Sequence, residues 1–306
     1  FKKSGKFVYA YANFYTQGEY YLNSVADQVY LNPMGEVDFK GLSAEILYMK
    51  DLQEKTGVKM EVIRHGKYKS AVEPFLAQEM SPENREQMTV LLNSVWNTIV
   101  ADISKSRKLS VAQLNAIANT LGARTPELAL ANKLVDKVAY EDEYHDMIRA
   151  KLKVDKKEKY DIVSITDYAK KASSTVEDYS KNDIIAVIYA QGEIAGGEGD
   201  VNVIGEGSIK RSLQEARDDK DVKAIVLRVN SPGGSALTSE LIWREIEITK
   251  KVKPVVVSMG NYAASGGYYI AANADRIFAE PNTITGSIGV FGMLPNMNQL
   301  GKNIGI

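Results

Sequence analysis

Two stretches 248 residues apart lie over one another without a gap, and no other feature of the chain constrains its fold as tightly. Residues 7–33, FVYAYANFYTQGEYYLNSVADQVYLNP, align with 255–281, VVVSMGNYAASGGYYIAANADRIFAEP. Asn13 meets Asn261, Gly18 meets Gly266, Tyr20 and Tyr21 meet Tyr268 and Tyr269, Ala26 and Asp27 meet Ala274 and Asp275, and Pro33 meets Pro281. From 7 to 41, nine of 35 positions are identical, where chance gives about two. A period this long is not that of a solenoid; it predicts two related domains in tandem. The copies are cut at different places. The second begins near Ile184, so its counterpart would lie before Phe1, while the first continues past Val58, the counterpart of Ile306. The expected organisation is the C-terminal part of a first repeat over 1–150, a Lys-rich charged connector over 151–183, and the N-terminal part of a second repeat over 184–306.

Within the second copy the pattern alternates between strands and helices. NDIIAVIYAQGEI (182–194), DVKAIVLRVNSPGG (221–234) and PVVVSMG (254–260) are apolar runs that read as buried strands. Between them, 208–219 has helical spacing at Ile209, Leu213 and Ala216, and 237–251 places Leu241, Ile242, Ile246 and Thr249 on one side. Strand–helix–strand repetition of this kind predicts an α/β fold with a parallel sheet flanked by helices. The first half carries longer helices: 81–107 opens with Ser81 as N-cap and Pro82 at N1, 110–120 has the capping box Ser110/Gln113, and 125–140 is helical with an interruption near Asn132. GGEGDVNVIGEG (196–207) has no GKS or GxGxxG context after a strand and reads as a loop rather than a phosphate cradle.

Composition removes several classes of chemistry. Cysteine is absent, so thiol catalysis, disulfides and thiolate metal sites are excluded. A net charge of −1 gives no field that calls for nucleic acid. No apolar run reaches the length of a membrane span, about 18 residues, and the opening residues given do not read as a signal peptide. The chain opens at Phe1 rather than Met, which leaves room for an anchor upstream.

The alignment also singles out a serine. Ser265 falls opposite Gln17, and its small shell AASGG falls opposite YTQGE. One copy keeps a place of close backbone approach and the other fills it, which favours a functional over a turn serine. NSPGGS (230–235) lies between a strand and a helix, where Gly233 and Gly234 can turn their N–H groups toward a developing negative charge. The N–H of Gly266, directly after Ser265, is a second such donor, and TITGSIGVFG (283–292) adds a glycine-rich edge with Ser287. A serine nucleophile needs a base. The histidines, His65 and His145, both lie outside 184–306 and read as surface or helix-end residues. A lysine can serve if burial holds it neutral; from an ordinary value of about 10.4 that requires lowering by two to three pH units, at about 3–4 kcal/mol. RHGKYKSAVEPF (64–75) offers the best setting, with Lys67 and Lys69 both open on chemistry alone.

LRVNSPGGS, MGNYAASGGYYIA and TGSIGVFG resemble the signature segments of the signal peptide peptidase A family, Ser–Lys peptidases of bacterial membranes within the wider Clp protease and crotonase superfamily. GKYKSAVEPF resembles the segment of the long, duplicated form that carries the general base. The resemblance covers nearly the whole chain and implies tandem Clp/crotonase-like domains. It implies Ser265 as nucleophile, Lys69 as general base, Gly234 and Gly266 as oxyanion donors, and Ser287 as the residue that orients the lysine. The first copy would thus supply the base and the second the nucleophile. It further implies an ATP-independent endopeptidase without metal or cofactor that degrades cleaved signal peptides, assembled as a homotetramer. The family's anchor places the catalytic part on the periplasmic side of the inner membrane. Two alternatives stand beside it: a crotonase-like acyl-CoA enzyme, against which the small-shell serine and the missing carboxylate pattern near TGSIG argue, and a catalytically inactive membrane quality-control scaffold.

Overall fold

The computed structural model describes residues 2–173 and 183–306. It is mixed α/β, with parallel sheets flanked by helices. Its contacts divide the chain into two compact units, Phe1–Ala44 with Leu91–Glu177, and Glu45–Val90 with Asp178–Ile306. Residues 45–90, within the 1–150 stretch assigned to the first repeat, group by their contacts with the second unit. Of the expected connector, 174–182 lies outside the described residues.

Along the chain, the first unit opens with β1 (Tyr9–Tyr15), α1 (Gln17–Asn23) and β2 (Gln28–Val37). The chain then enters the second unit through α2 (Lys50–Thr56), β3 (Lys59–Arg64), a 3-10 turn at Ser70–Val72 and α3 (Glu73–Leu76). The long α4 (Pro82–Arg107) leads back to the first unit, which continues with α5 (Val111–Asn119), α6 (Pro126–Ala131), β4 (Lys137–Val138), α7 (Glu141–Leu152) and α8 (Ile165–Ser173). Helix α6 stops at Asn132, so the interruption expected there is the helix end, and the rest of 125–140 is turn and strand. The second unit resumes with β5 (Ile184–Gln191), β6 (Glu193–Ile194), β7 (Val203–Ile204), α9 (Glu206–Asp218), β8 (Val222–Ser231), α10 (Ala236–Lys250), β9 (Val255–Ala264) and α11 (Gly266–Ala271). It closes with β10 (Arg276–Phe278), β11 (Ile284–Gly286), β12 (Phe291–Asn296) and α12 (Asn298–Ile304).

The first unit holds the parallel sheet β1-β2-β4. The second holds the parallel sheet β10-β9-β8-β5, with β11 also on β9, and the antiparallel ribbon β3–β12. Strand β8 shows why this sheet forms. Ile225, Leu227 and Val229 point to one side and are fully buried, against Val255 and Val257 of β9, Ile209 and Leu213 of α9, and Ile242 and Ile246 of α10. Each such side chain contributes about 1.5–3 kcal/mol on burial. Leu241 departs from the expected helix face: it is half-exposed, while Thr238, Ser239 and Glu245 turn inward, the last paired with Arg217.

The two units repeat a local pairing. Phe14 and Tyr15 pair with Glu36 and Val37, and 248 residues on Tyr262 and Ala263 pair with Ile284 and Thr285. Nearer the strand start the ungapped alignment slips by one. Asp27 accepts the N–H of Val8, whereas Asp275 accepts that of Val255, because the second copy carries one residue more in the bulge before Tyr262. Among the described residues no helix is long and apolar enough to cross a membrane.

Candidate active site

The site lies in the second unit, at the carboxyl ends of the parallel strands β8 and β9, where open α/β sheets present ligand crevices. Ser265 occupies the sharp turn between β9 and α11 with φ +54° and ψ −120°. A non-glycine residue there carries about 1–3 kcal/mol of strain, and the surroundings hold it in place. Its own N–H donates to the Gly286 carbonyl at 2.8 Å. Just upstream, the Asn230 side-chain oxygen accepts from the N–H groups of Asn261 (3.0 Å) and Tyr262 (3.2 Å), fixing the bulge that aims the turn.

Lys69 reaches this serine from a segment 196 residues away. The ribbon explains how: Arg64 pairs with Phe291 at the end of β3–β12, so the residues after Arg64 and those before Phe291 leave the ribbon side by side. The Arg64 guanidinium also donates to the Lys69 carbonyl at 3.3 Å. Beyond Lys69, the buried Glu73 ties α3 to the start of α4 by accepting from Tyr48 Oη, the Ser81 N–H, Ser81 Oγ and Asn84 Nδ2. Burial pushes the Glu73 carboxyl up, but these donors outweigh it and hold it below its ordinary value.

Lys69 Nζ lies 3.2 Å from Ser265 Oγ, 2.7 Å from the Ser287 carbonyl and 3.1 Å from Ser287 Oγ. The residue is 8% exposed, its side chain packs beside Gly289, and burial lowers its pKa from the ordinary lysine value. A neutral amine has two N–H donors and one lone pair. Nζ stands within donating distance of all three oxygens, as an ammonium would be; a neutral amine in the same place would keep two donors for Ser287 and turn its lone pair to the serine hydroxyl. Ser287 itself sits at φ +50°, immediately after β11, whose pairing with β9 brings it beside Ser265. Lys67, the other lysine open on sequence, is exposed and paired with Glu83 at 3.0 Å. His65 is exposed, and His145 contacts Tyr160 in the first unit.

The Gly234 and Gly266 amides meet at the same place. An ideal Cβ on Gly266 would lie 3.3 Å from the Gly234 nitrogen. Gly234 has φ +152°, and a Cβ there would stand 2.1 Å from the Ile194 carbonyl oxygen, so only glycine fits. Among the described residues neither amide N–H is engaged by the backbone hydrogen bonds of the surrounding turns. A cavity of about 420 Å³ opens beside Ser265, lined by Ala236, Tyr268, Tyr269, Ala272, Ile288 and Val290. A larger one, about 790 Å³, lies along β5 and α9 and touches none of these groups.

The first unit differs at the matching position. There the Gln17 amide donates to the Gly41 carbonyl (3.0 Å) and accepts from the Lys40 and Gly41 N–H groups. Gln17 satisfies its own loop where, in the second unit, Lys69 crosses over Ser287 and Gly289 to the serine. Ser231, Ser239 and Glu73, polar groups that brace the site, do not stand out in the sequence pattern. The available signal was their type: hydroxyls on faces that are otherwise apolar, and a carboxylate inside an apolar segment.

The family model for peptidase family S49 matches residues 1–155 and 247–306. Protease 4 of Haemophilus influenzae is 41% identical over 318 residues, covering 100% of this chain and 51% of that protein. The chloroplastic serine protease SPPA of Arabidopsis thaliana is 34% identical over 309 residues, covering 100% of this chain and 46% of that protein. The chain thus spans about half the length of the curated relatives it matches. Among solved structures, a ClpP1 mutant from Listeria monocytogenes aligns with 32% of this chain and 50% of that one, at 19% identity and a TM-score of 0.25.

Proposed function

The chain belongs to peptidase family S49, and from that premise we propose that it is a serine endopeptidase whose nucleophile is Ser265 Oγ and whose general base is Lys69 Nζ. The observation that carries this reading is a buried lysine amine 3.2 Å from a serine hydroxyl on a strained turn, beside two convergent glycine amides.

The chemistry follows from those positions. The neutral amine takes the Ser265 proton as Oγ attacks the scissile carbonyl carbon. The carbonyl electron pair moves to oxygen, where the Gly234 and Gly266 N–H groups hold it. Lys69, now an ammonium kept in place by the Ser287 carbonyl and hydroxyl, gives the proton to the leaving amine as the C–N bond breaks. Water then attacks the acyl-enzyme, loses a proton to Lys69, and the ester bond to Oγ breaks with return of that proton to Ser265. No nucleotide, metal or cofactor enters any step.

The apolar cavity beside Ser265 suits small and apolar side chains of an extended peptide. Cleaved signal peptides, apolar and rich in small residues, are the substrate class we assign, with the protein acting as a homotetramer at the bacterial inner membrane, its catalytic part periplasmic. A fluorophosphonate probe tests the reading. Labelling that is lost in Ser265→Ala, and that rises with pH as Lys69 deprotonates, is the expected result. An unlabelled protein points instead to an inactive scaffold.

A further inference from the structure

We propose that Ser231 is a positioning residue that holds the oxyanion turn in shape, a role that rests on the peptidase reading above. Strand β8 sends alternate residues into the core, and Ile225, Leu227 and Val229 are the apolar members of that row. Ser231 is the next member and is fully buried, so a hydroxyl stands where the pattern calls for an apolar group. Its Oγ accepts the N–H of Gly233 at 3.1 Å.

That bond completes a set. The Gly233 carbonyl accepts from the Ile194 N–H at 2.9 Å, and the Ser235 N–H donates to the Ile194 carbonyl at 2.8 Å. The peptide group that carries the Gly234 N–H is tied through the Gly233 carbonyl, its two neighbours are tied through the Gly233 and Ser235 N–H groups, and the Gly234 N–H is left to face the reacting carbonyl. Gly233 and Gly234 adopt φ +104° and +152°. The turn also abuts the nucleophile: an ideal Cβ on Gly233 would lie 2.7 Å from Ser265 Cβ and from the Gly266 nitrogen. Ser231 reaches that second element as well, since a Cβ on Gly267 would lie 2.7 Å from its carbonyl oxygen. Without the Ser231 acceptor the Gly233 N–H is orphaned at a buried position and the turn relaxes to satisfy it, moving the Gly234 donor off line. The residue never touches substrate; it acts through the geometry of the donor.

The test compares wild type, Ser231→Ala and Ile246→Val, the last a core truncation away from the turn that lowers stability by a different route. In S231A, fluorophosphonate acylation and peptide kcat are expected to fall about 10- to 100-fold, less than the roughly 10²–10³ lost with an oxyanion donor itself. KM and the midpoint of the pH–rate profile are expected to stay at wild-type values, because Lys69 is untouched, and I246V is expected to keep the wild-type rate. Ser231→Cys, close in size but a weak acceptor, is expected to fall in the same direction and decides the matter if S231A does not fold. Wild-type rates in S231A, an equal loss in I246V, or a shifted pH midpoint each overturn the positioning role and leave the peptidase reading standing. A wild-type protein that is never acylated overturns both.

Discussion

Replacing Gly266 by alanine isolates steric damage at the proposed oxyanion donor. The backbone at Gly266 is not left-handed, so alanine meets no conformational penalty; what it meets is Ser239 Oγ, 2.5 Å from the added Cβ. Ordinary contact begins at 3.4 Å, so the turn or the hydroxyl must retreat by about 0.9 Å. Ser239 has little freedom to do so, being fully buried and donating to the Ser235 carbonyl at 2.8 Å. The turn therefore moves, and a displacement of about 1 Å at reacting groups costs about 10²-fold in rate, equivalent to about 2.7 kcal/mol of transition-state stabilisation. The steric origin is separable. In the double variant G266A/S239A the hydroxyl is gone and the next neighbour is Ile194 Cδ1 at 3.1 Å, a side-chain tip that can yield by a few tenths of an ångström. The assay is kcat for an amide substrate with a small apolar residue before the scissile bond, measured with wild type, G266A, S239A and the double variant. Loss in G266A and recovery of most of the rate in the double variant is the expected pattern. A double variant no faster than G266A would refute the reasoning.

Three further outcomes follow from the same geometry. Lys69→Ala is expected to abolish turnover with the fold intact, whereas Lys67→Ala, at an exposed residue paired with Glu83, is expected to retain it; steady-state kinetics and circular dichroism check both. Ser287→Ala removes one of the lysine's anchors but leaves the carbonyl contact at 2.7 Å, so kcat is expected to fall about tenfold with KM little changed. Glu73→Ala leaves Tyr48, Ser81 and Asn84 without their acceptor and is expected to cost about 3 kcal/mol in denaturant unfolding. Because the folded Glu73 carboxyl lies below its ordinary 4.5, its contribution is present above that pH and is lost as pH falls through the lowered value, a loss the variant no longer shows.

Much of the second unit was legible because its signals are local. The inward row of β8, the helical spacing of Ile209, Leu213 and Ala216, and the glycine turns after two strands each depend on residues a few positions apart. The grouping of 45–90 with the second unit was not legible, since it rests on β3 pairing with β12 across more than 220 residues, and neither strand has an alternation that names its partner. The choice of Lys69 over Lys67 came from family resemblance; bare chemistry left both open, and burial separates them. Leu241 was misplaced because α10 turns Thr238, Ser239 and Glu245 inward, and polar residues are invisible to an apolar-spacing argument until their partners are known. The gapless repeat alignment concealed the extra bulge residue before Tyr262, because identities on either side of the bulge outweigh a one-residue slip in an apolar strand.

The most direct measurement is the titration of Lys69 itself, followed by NMR of labelled lysine side chains and assigned by the signal missing in Lys69→Arg. A midpoint below the ordinary 10.5, which moves when Ser265 is acylated, is expected for an amine held neutral by burial beside the proposed nucleophile. A midpoint at or above 10.5, indifferent to acylation, contradicts a lysine general base at this site.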